Sequence, residues 1–355
     1  MANSNLSSLL SEDRDHLLHP LYHPEDHAAP HLWVKGKGIV LIDAEGREYI
    51  DGLACLWNVN VGHGRGELAE AAAGQMISLA YSTNYVGSSN VPAIQLAHRI
   101  KELAYPNLCA TYFTSGGAES NESAFKTARF YWKAKGKPDK VKVISRQFAY
   151  HGVTMAAMSA TSIPGYDKMF GPRVPNFIHT ATPYAYRFEG AKPGETVGQA
   201  AARMLEETIL QEGPETVAAF IAEPVQGAGG IIVPPDDYFP LVRAICTRHD
   251  ILFIADEVIT GFGRTGEWFA LKRWGVQPDI LVFAKGVTSG YLPLGGIMVS
   301  RPVFDAILSV PYADRWMHAY TYSGHATCCA VGLRNLEIIE KEGLVENAAR
   351  MGARL

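Results

Sequence analysis

The sequence predicts an α/β chain, a mostly parallel mixed sheet flanked by helices on both faces. Three observations predict it. The runs 217–222 (VAAFIA), 251–255 (ILFIA) and 280–284 (ILVFA) are continuously apolar, as strands buried on both faces are. Helical patterns at 119–135, 195–210 and 238–249 alternate with these and the earlier strand-like runs, as crossover connections between parallel strands require. Each of the three runs also stops on a residue able to do chemistry: Glu223, Asp256 and Lys285. In open α/β sheets, ligands bind beyond the carboxyl ends of the strands.

In chain order, residues 1–35 are polar and hold His16, His19, His23, His27 and His31 at intervals of three or four. The spacing invites a metal reading, but Pro20, Pro24 and Pro30 would break the helix needed to place the rings on one face. The expectation is an arm without a metal, packed on the body or on a partner subunit. A hairpin follows, 38–43 and 47–51 about the turn Ala44-Glu45-Gly46. The loop 52–58 is too apolar for open solvent, so Trp57 there is core filler or a pocket wall. Helices are expected at 66–80 and 91–105, the second after Asn90 with Pro92 in its first turn. Strands at 109–114, 141–145, 177–180 and 296–300 complete the alternation.

Composition excludes several classes. Apolar residues make up 47% and charged residues 19% of 355, an ordinary globular balance. Net charge is −4 without a basic block, so neither nucleic acid nor an anionic membrane is an expected partner. No apolar run approaches the ~18 residues that would span a bilayer. The N-terminus carries Glu12 and Asp13 and lacks the pattern of a signal peptide. Five cysteines without CxxC spacing read as free thiols of a reducing, cytoplasmic compartment.

The strand ends carry the functional argument. After 109–114 comes Ser115-Gly116-Gly117-Ala118-Glu119, opening a helix whose first N–H groups and dipole favour a phosphate. After 141–145 comes Tyr150-His151-Gly152, an aromatic that can stack on a planar ring. Glu223 and Asp256 are acids at the ends of apolar strands, where an unpaired charge costs several kcal/mol, so each needs a partner. Lys285 closes its own strand, where desolvation favours the neutral amine that Schiff-base chemistry needs. Each feature alone has a plain structural alternative: a glycine turn, an aromatic over a sheet edge, a lysine reaching solvent. Together they describe a site for pyridoxal 5′-phosphate. The glycine cup takes the phosphate, Tyr150 and Val258 cover the two ring faces, Asp256 keeps the pyridine nitrogen protonated, and Lys285 forms the Schiff base.

These residues lie within a wider set of motifs: Asp51-Gly52-Leu53-Ala54, Trp57, Val59-Asn60-Val61-Gly62-His63-Gly64, Glu119 with Asn121-Glu122, Tyr150-His151-Gly152, Glu223-Pro224, Asp256-Glu257-Val258, Gly261-Phe262-Gly263-Arg264-Thr265-Gly266, Ala284-Lys285-Gly286 and Thr321-Tyr322-Ser323-Gly324-His325. In them the chain closely resembles the class III aminotransferases, pyridoxal-phosphate enzymes of fold type I, and within them the ω-amine:pyruvate branch. The resemblance implies a catalytic Lys285 and a cofactor site of Gly117, Ala118, Tyr150, His151, Glu223, Asp256, Val258 and Thr321. It implies a substrate pocket walled by Trp57, Tyr85 and Tyr150. Ala118 stands where the family usually has Ser, so a hydroxyl contact is lost. Thr321 matches a threonine that reaches the phosphate of the neighbouring subunit, which implies a homodimer at least.

The implied reaction passes an amino group from a primary amine or ω-amino acid to a keto acid such as pyruvate. Decarboxylase, aminomutase or inactive binding relatives are the alternatives. The expected division is an arm and hairpin at 1–60, a cofactor domain at 61–322 and the start of a C-terminal lobe at 323–355. Family members usually continue for roughly another hundred residues, so a truncated lobe is expected, without the arginine that receives the substrate carboxylate.

Overall fold

A seven-stranded sheet forms the centre of the molecule, in a computed structural model that describes residues 3–355. Before it lies a small antiparallel sheet of β1 (Trp33–Lys37), β2 (Val40–Asp43) and β3 (Glu48–Ile50). The large sheet contains β4 (Leu108–Thr114), β5 (Lys142–Arg146), β6 (Phe177–Thr180), β7 (Val217–Ala222), β8 (Leu252–Asp256), β9 (Ile280–Phe283) and β10 (Gly295–Ser300). Its order is β4-β10-β9-β8-β7-β5-β6. Only β10 runs antiparallel to its neighbours, so β4, β5, β7, β8 and β9 all end on one edge. The expected mostly parallel mixed sheet is present.

The apolar runs are continuous because both faces are covered. Phe253 and Ala255 of β8, with Leu281 and Phe283 of β9, face a core that includes Phe239 and Val242 of the helix Tyr238–Arg248. Leu252, Ile254, Ile280 and Val282 face the opposite core, with Ala124, Phe125, Ala128 and Trp132 of the helix Gly117–Ala134. Alternate residues thus serve opposite layers, and no polar residue fits either face. In β10 this closeness demands glycine. A Cβ at Gly295 would meet the Ser120 hydroxyl oxygen at 2.8 Å, and one at Gly296 would meet the Phe283 ring at 2.6 Å.

Some boundaries differ from the sequence reading. The strand read at 251–255 extends through Asp256, and the strand read at 280–284 ends at Phe283, which leaves Lys285 in a tight turn. The hairpin gains β1 as a third strand. Residues 3–16 form a helix that the reading of 1–35 as an irregular arm did not foresee; the first proline, Pro20, comes after its end. The helices read at 66–80 and 91–105 are Gly66–Leu79 and Val91–Leu103, and the Asn90 side chain caps the second by accepting from Ala93 N at 3.0 Å. Among the described residues, no helix is long and apolar enough to cross a membrane.

Candidate active site

Register brings the strand-end residues together. Ala222 pairs with Ala255, so Glu223 and Asp256 follow side by side. Asp256 pairs with Val282, three residues before Lys285.

Asp256 is only 3% exposed. Its Oδ2 accepts from Asn121 Nδ2 at 2.9 Å and contacts His151 Nδ1 at 2.7 Å. Its Oδ1 has a single partner, the backbone N–H of Val258 at 3.1 Å. No lysine or arginine forms an ion pair with it among the described residues. The His151 ring is fully buried, and its Nε2 has no hydrogen-bond partner. Asp256 is therefore a sequestered carboxylate, with Oδ2 braced by two side chains and Oδ1 held by one backbone N–H. Such a charge calls for a cationic group in front of it.

Glu223 is equally buried. It accepts from Tyr150 N at 3.0 Å and Gly227 N at 2.9 Å, and burial raises its pKa. Its backbone carbonyl accepts from the guanidinium of Arg146, itself fully buried beside the rings of Tyr238 and Phe239. Glu223 thereby fixes the segment that carries Tyr150, whose ring lies edge-on to Tyr166 at 5.6 Å.

Lys285 adopts φ 44°, a left-handed conformation costly for a side-chain-bearing residue. The turn is over-determined. Asn335 donates to the carbonyls of Gly286 and Val287 at 2.9 and 3.0 Å. A Cβ on Gly286 would meet Asn60 Nδ2 at 2.6 Å. Burial pulls the Lys285 amine below the ordinary lysine range, while the charges of Asp256 and Glu223 pull it back up. Its Nζ stands 5.8 Å from the centre of the Trp57 ring.

The helix Gly117–Ala134 starts without any side-chain cap. A Cβ at Gly117 would meet Val258 Cγ1 at 3.0 Å, and one at Gly152 would meet Ala118 Cβ at 2.7 Å. The glycine cup, the Tyr150 segment and the loop after Asp256 are thus packed directly against one another. The Ser115 N–H is already taken by the Glu119 carboxylate at 2.8 Å, so an anion here would meet the N–H groups further along the turn.

Tyr85 and Thr321 lie apart from this cluster. Both are exposed, and they share a rim: Tyr81 donates to the Thr321 carbonyl at 2.8 Å, and the Asn84 side chain crowds Gly324. The structure thus gathers Gly117, Ala118, Tyr150, His151, Glu223, Asp256, Val258, Lys285 and Trp57 at one edge and leaves Tyr85 and Thr321 outside. Asn335 and Arg146 escaped sequence reasoning. A lone Asn in an apolar helix and an Arg closing a buried strand are the only traces they leave.

The family described as Aminotransferase class-III matches residues 21–355. The diaminobutyrate–2-oxoglutarate transaminase of Halomonas elongata is 44% identical over 98% of this chain and 76% of its own length. The putrescine–pyruvate aminotransferase of Pseudomonas aeruginosa is 41% identical over 94% of this chain and 73% of its own length. Among solved structures, a thermostable (S)-enantioselective omega-transaminase from Thermomicrobium roseum is 52% identical, with a TM-score of 0.94 over 98% of this chain and 78% of its own. An omega transaminase from Pseudomonas jessenii in complex with PMP is 41% identical, with a TM-score of 0.93 over 97% of this chain and 77% of its own.

Proposed function

The chain belongs to the class III aminotransferases, and on that premise we propose that it uses pyridoxal 5′-phosphate carried by Lys285 to pass the amino group of a primary amine or ω-amino acid to pyruvate. The observation that carries the reading is a mostly buried amine at a strand end, facing two buried carboxylates beneath an aromatic wall. The fit to the cofactor rests on three features: an uncapped helix start, a buried carboxylate that among the described residues meets His151 but no lysine or arginine, and a cleft so tight at Gly117 that a Cβ would strike its wall.

When bound, the cofactor supplies an aldehyde that condenses with amines and a ring that draws electrons from the adjacent carbon. The residues of this chain do the rest. Lys285 Nζ would be the anchoring amine, and the same nitrogen would serve as the base that takes the proton from the amine-bearing carbon. Asp256 Oδ1 would be the atom offered to the ring nitrogen, while His151 and Asn121 hold Oδ2 and prevent the carboxylate from rotating away. The first-turn N–H groups at Gly117 and Ala118 would hold the phosphate. Tyr150 and Val258 bound the ring, and Glu223 sets the position of Tyr150 through its backbone N–H. Trp57 forms one wall of the donor pocket.

A homodimer completes the site in this reading. Leu56, Tyr85, Val86, Met317 and Tyr322 are exposed apolar side chains, with Val86 wholly exposed. Thr321 on the rim would reach the partner's phosphate group, and Tyr85 would wall the partner's pocket. The five free thiols support a reducing, cytoplasmic setting.

Added pyridoxal 5′-phosphate should give a visible absorbance that borohydride fixes covalently onto the peptide containing Lys285. A label on any other lysine would refute the assignment. An amine panel with pyruvate, read as alanine formed, tests the acceptor. Turnover with 2-oxoglutarate alone, read as glutamate, would replace pyruvate with a dicarboxylic acceptor.

A further inference from the structure

A second cluster of reactive side chains includes Cys55, two residues before Trp57. The Cys55 Sγ lies 3.7 Å from His63 Nε2, and the same nitrogen lies 2.8 Å from Asp51 Oδ2. The three donor atoms all fall within 4.8 Å of one another. Thiol, imidazole and carboxylate together form a donor set suited to a borderline-soft divalent cation.

The three residues are held in place by the backbone. Asp51 N donates to the Ile39 carbonyl at 2.7 Å, and His63 exchanges both backbone hydrogen bonds with Gly38, at 2.8 and 2.9 Å. The His63 ring lies against Gly36, where a Cβ would meet its Cβ at 2.7 Å, so only glycine lets the ring sit there. The Asp51 side chain is 7% exposed, whereas Cys55 opens to solvent and provides an entry path. Zinc bonds of about 2.0–2.3 Å set a tetrahedral edge of roughly 3.4 Å. The sulfur–nitrogen separation already fits, and the imidazole–carboxylate hydrogen bond would open by about half an ångström.

We propose that Asp51, Cys55 and His63 bind one divalent cation of the zinc type, and that its binding fixes the turn that carries Trp57 over Lys285. That turn is strained: Ala54, Cys55 and Trp57 all have positive φ, at 50°, 57° and 55°. Binding forms a metal–sulfur bond and releases the thiol proton to solvent, with a water filling the fourth position. The metal site stands independently of the aminotransferase reading; only its effect on turnover rests on that reading.

Cobalt(II) is the probe, added to the full chain and read as a difference spectrum against Cys55→Ser. The expected result is one cobalt per chain, a sulfur-to-cobalt charge-transfer absorption absent from Cys55→Ser and from His63→Gln, and displacement by zinc. Absence of the sulfur absorption in the folded wild type, or its persistence in Cys55→Ser, overturns the site. Asp13, His19 and His27 form another three-donor group. Cobalt bound there alone would lack the sulfur absorption and vanish in His19→Ala, which also overturns the proposal. Saturating zinc should slow the single-turnover reaction with amine severalfold in wild type and leave Cys55→Ser unchanged. A charge-transfer signal with no change in that rate overturns the link to Trp57 while the site stands.

Discussion

The strand-end floor and the loop-borne rim are built by opposite means. On the floor, Lys285, Asp256 and Glu223 are set by register between adjacent strands and braced by Asn121, His151, Asn335 and backbone N–H groups. On the rim, Tyr85 and Thr321 sit on exposed loops among apolar side chains that none of the described residues covers. The difference divides the labour. Charges that must stay fixed and dry belong on the sheet, whereas surfaces completed by a second copy or a variable substrate belong on loops.

The floor should fail most sharply at Lys285. Lys285→Ala removes the cofactor anchor and the proton carrier together, so kcat should fall by at least ~10³-fold rather than KM rising. Steady-state rates and the loss of borohydride labelling check this. A residual rate near that of wild type would break the contrast, because the floor would then not be where the chemistry is done.

Asp256→Asn should come next. In the proposed site it removes the charge that would face the ring nitrogen and keeps the shape, for a kcat loss of roughly 10²-fold. It also takes the charge-assisted partner from a buried His151, so urea stability should drop by about 1–3 kcal/mol. Both readouts moving together identify Asp256 as functional and braced; a stability loss alone would reduce it to a structural acid.

On the rim the effect should be smaller and of a different kind. Thr321→Ala should weaken cofactor affinity by about tenfold, the value of one hydrogen bond to a charged group, with folding of the isolated chain unchanged. The weakening should appear only at concentrations where sedimentation shows a dimer. Equal weakening in a monomer would place Thr321 in its own subunit's site and erase the division between floor and rim.

How legible each region was follows from the same division. The parallel strands, and Glu223, Asp256 and Lys285 at their ends, were readable because an ionisable residue closing an apolar run has few structural excuses. The Asn90 cap was readable because the signal is local. The braces were not. Asn335 reaches Gly286 from 49 residues away and Asn121 reaches Asp256 from 135, and nothing near either residue announces the partner. Nor could the left-handed turn at Lys285 be read from Ala284-Lys285-Gly286, since tertiary contacts impose it. The arm shows the opposite failure. Its prolines do exclude a helix bearing all five histidines, yet His19 and His27 both reach Asp13 by way of a loop that no periodicity describes.

The smallest expected effect tests how the rim is attached to the floor. His318 lies three residues before Thr321, and its ring is wedged against the helix that opens with the glycine cup. Its Nε2 contacts Ser123 Oγ at 2.8 Å, and its Nδ1 contacts Lys126 Nζ at 2.9 Å. The Ser123 hydroxyl donates to the Glu119 carbonyl, so His318 must donate from Nε2 and accept from Lys126 at Nδ1, which only the neutral ring can do. Burial, with the Lys126 charge adding to it, lowers its pKa from 6.5 to about 4. The unfolded chain therefore binds the extra proton first, and the attachment is at full strength above pH 6.5 and is lost as pH falls toward 4. His179 is lowered to about 4 as well, by burial and Arg173, and burial also lowers His325, so wild-type stability should fall over the same window for reasons beyond His318. In His318→Gln the fall in urea midpoint between pH 6.5 and 4 should be shallower than in wild type, and cofactor affinity should no longer decline over that range faster than the midpoint does. An unchanged fall would assign the acid sensitivity to His179 and His325 and leave the rim fastened by something other than this ring.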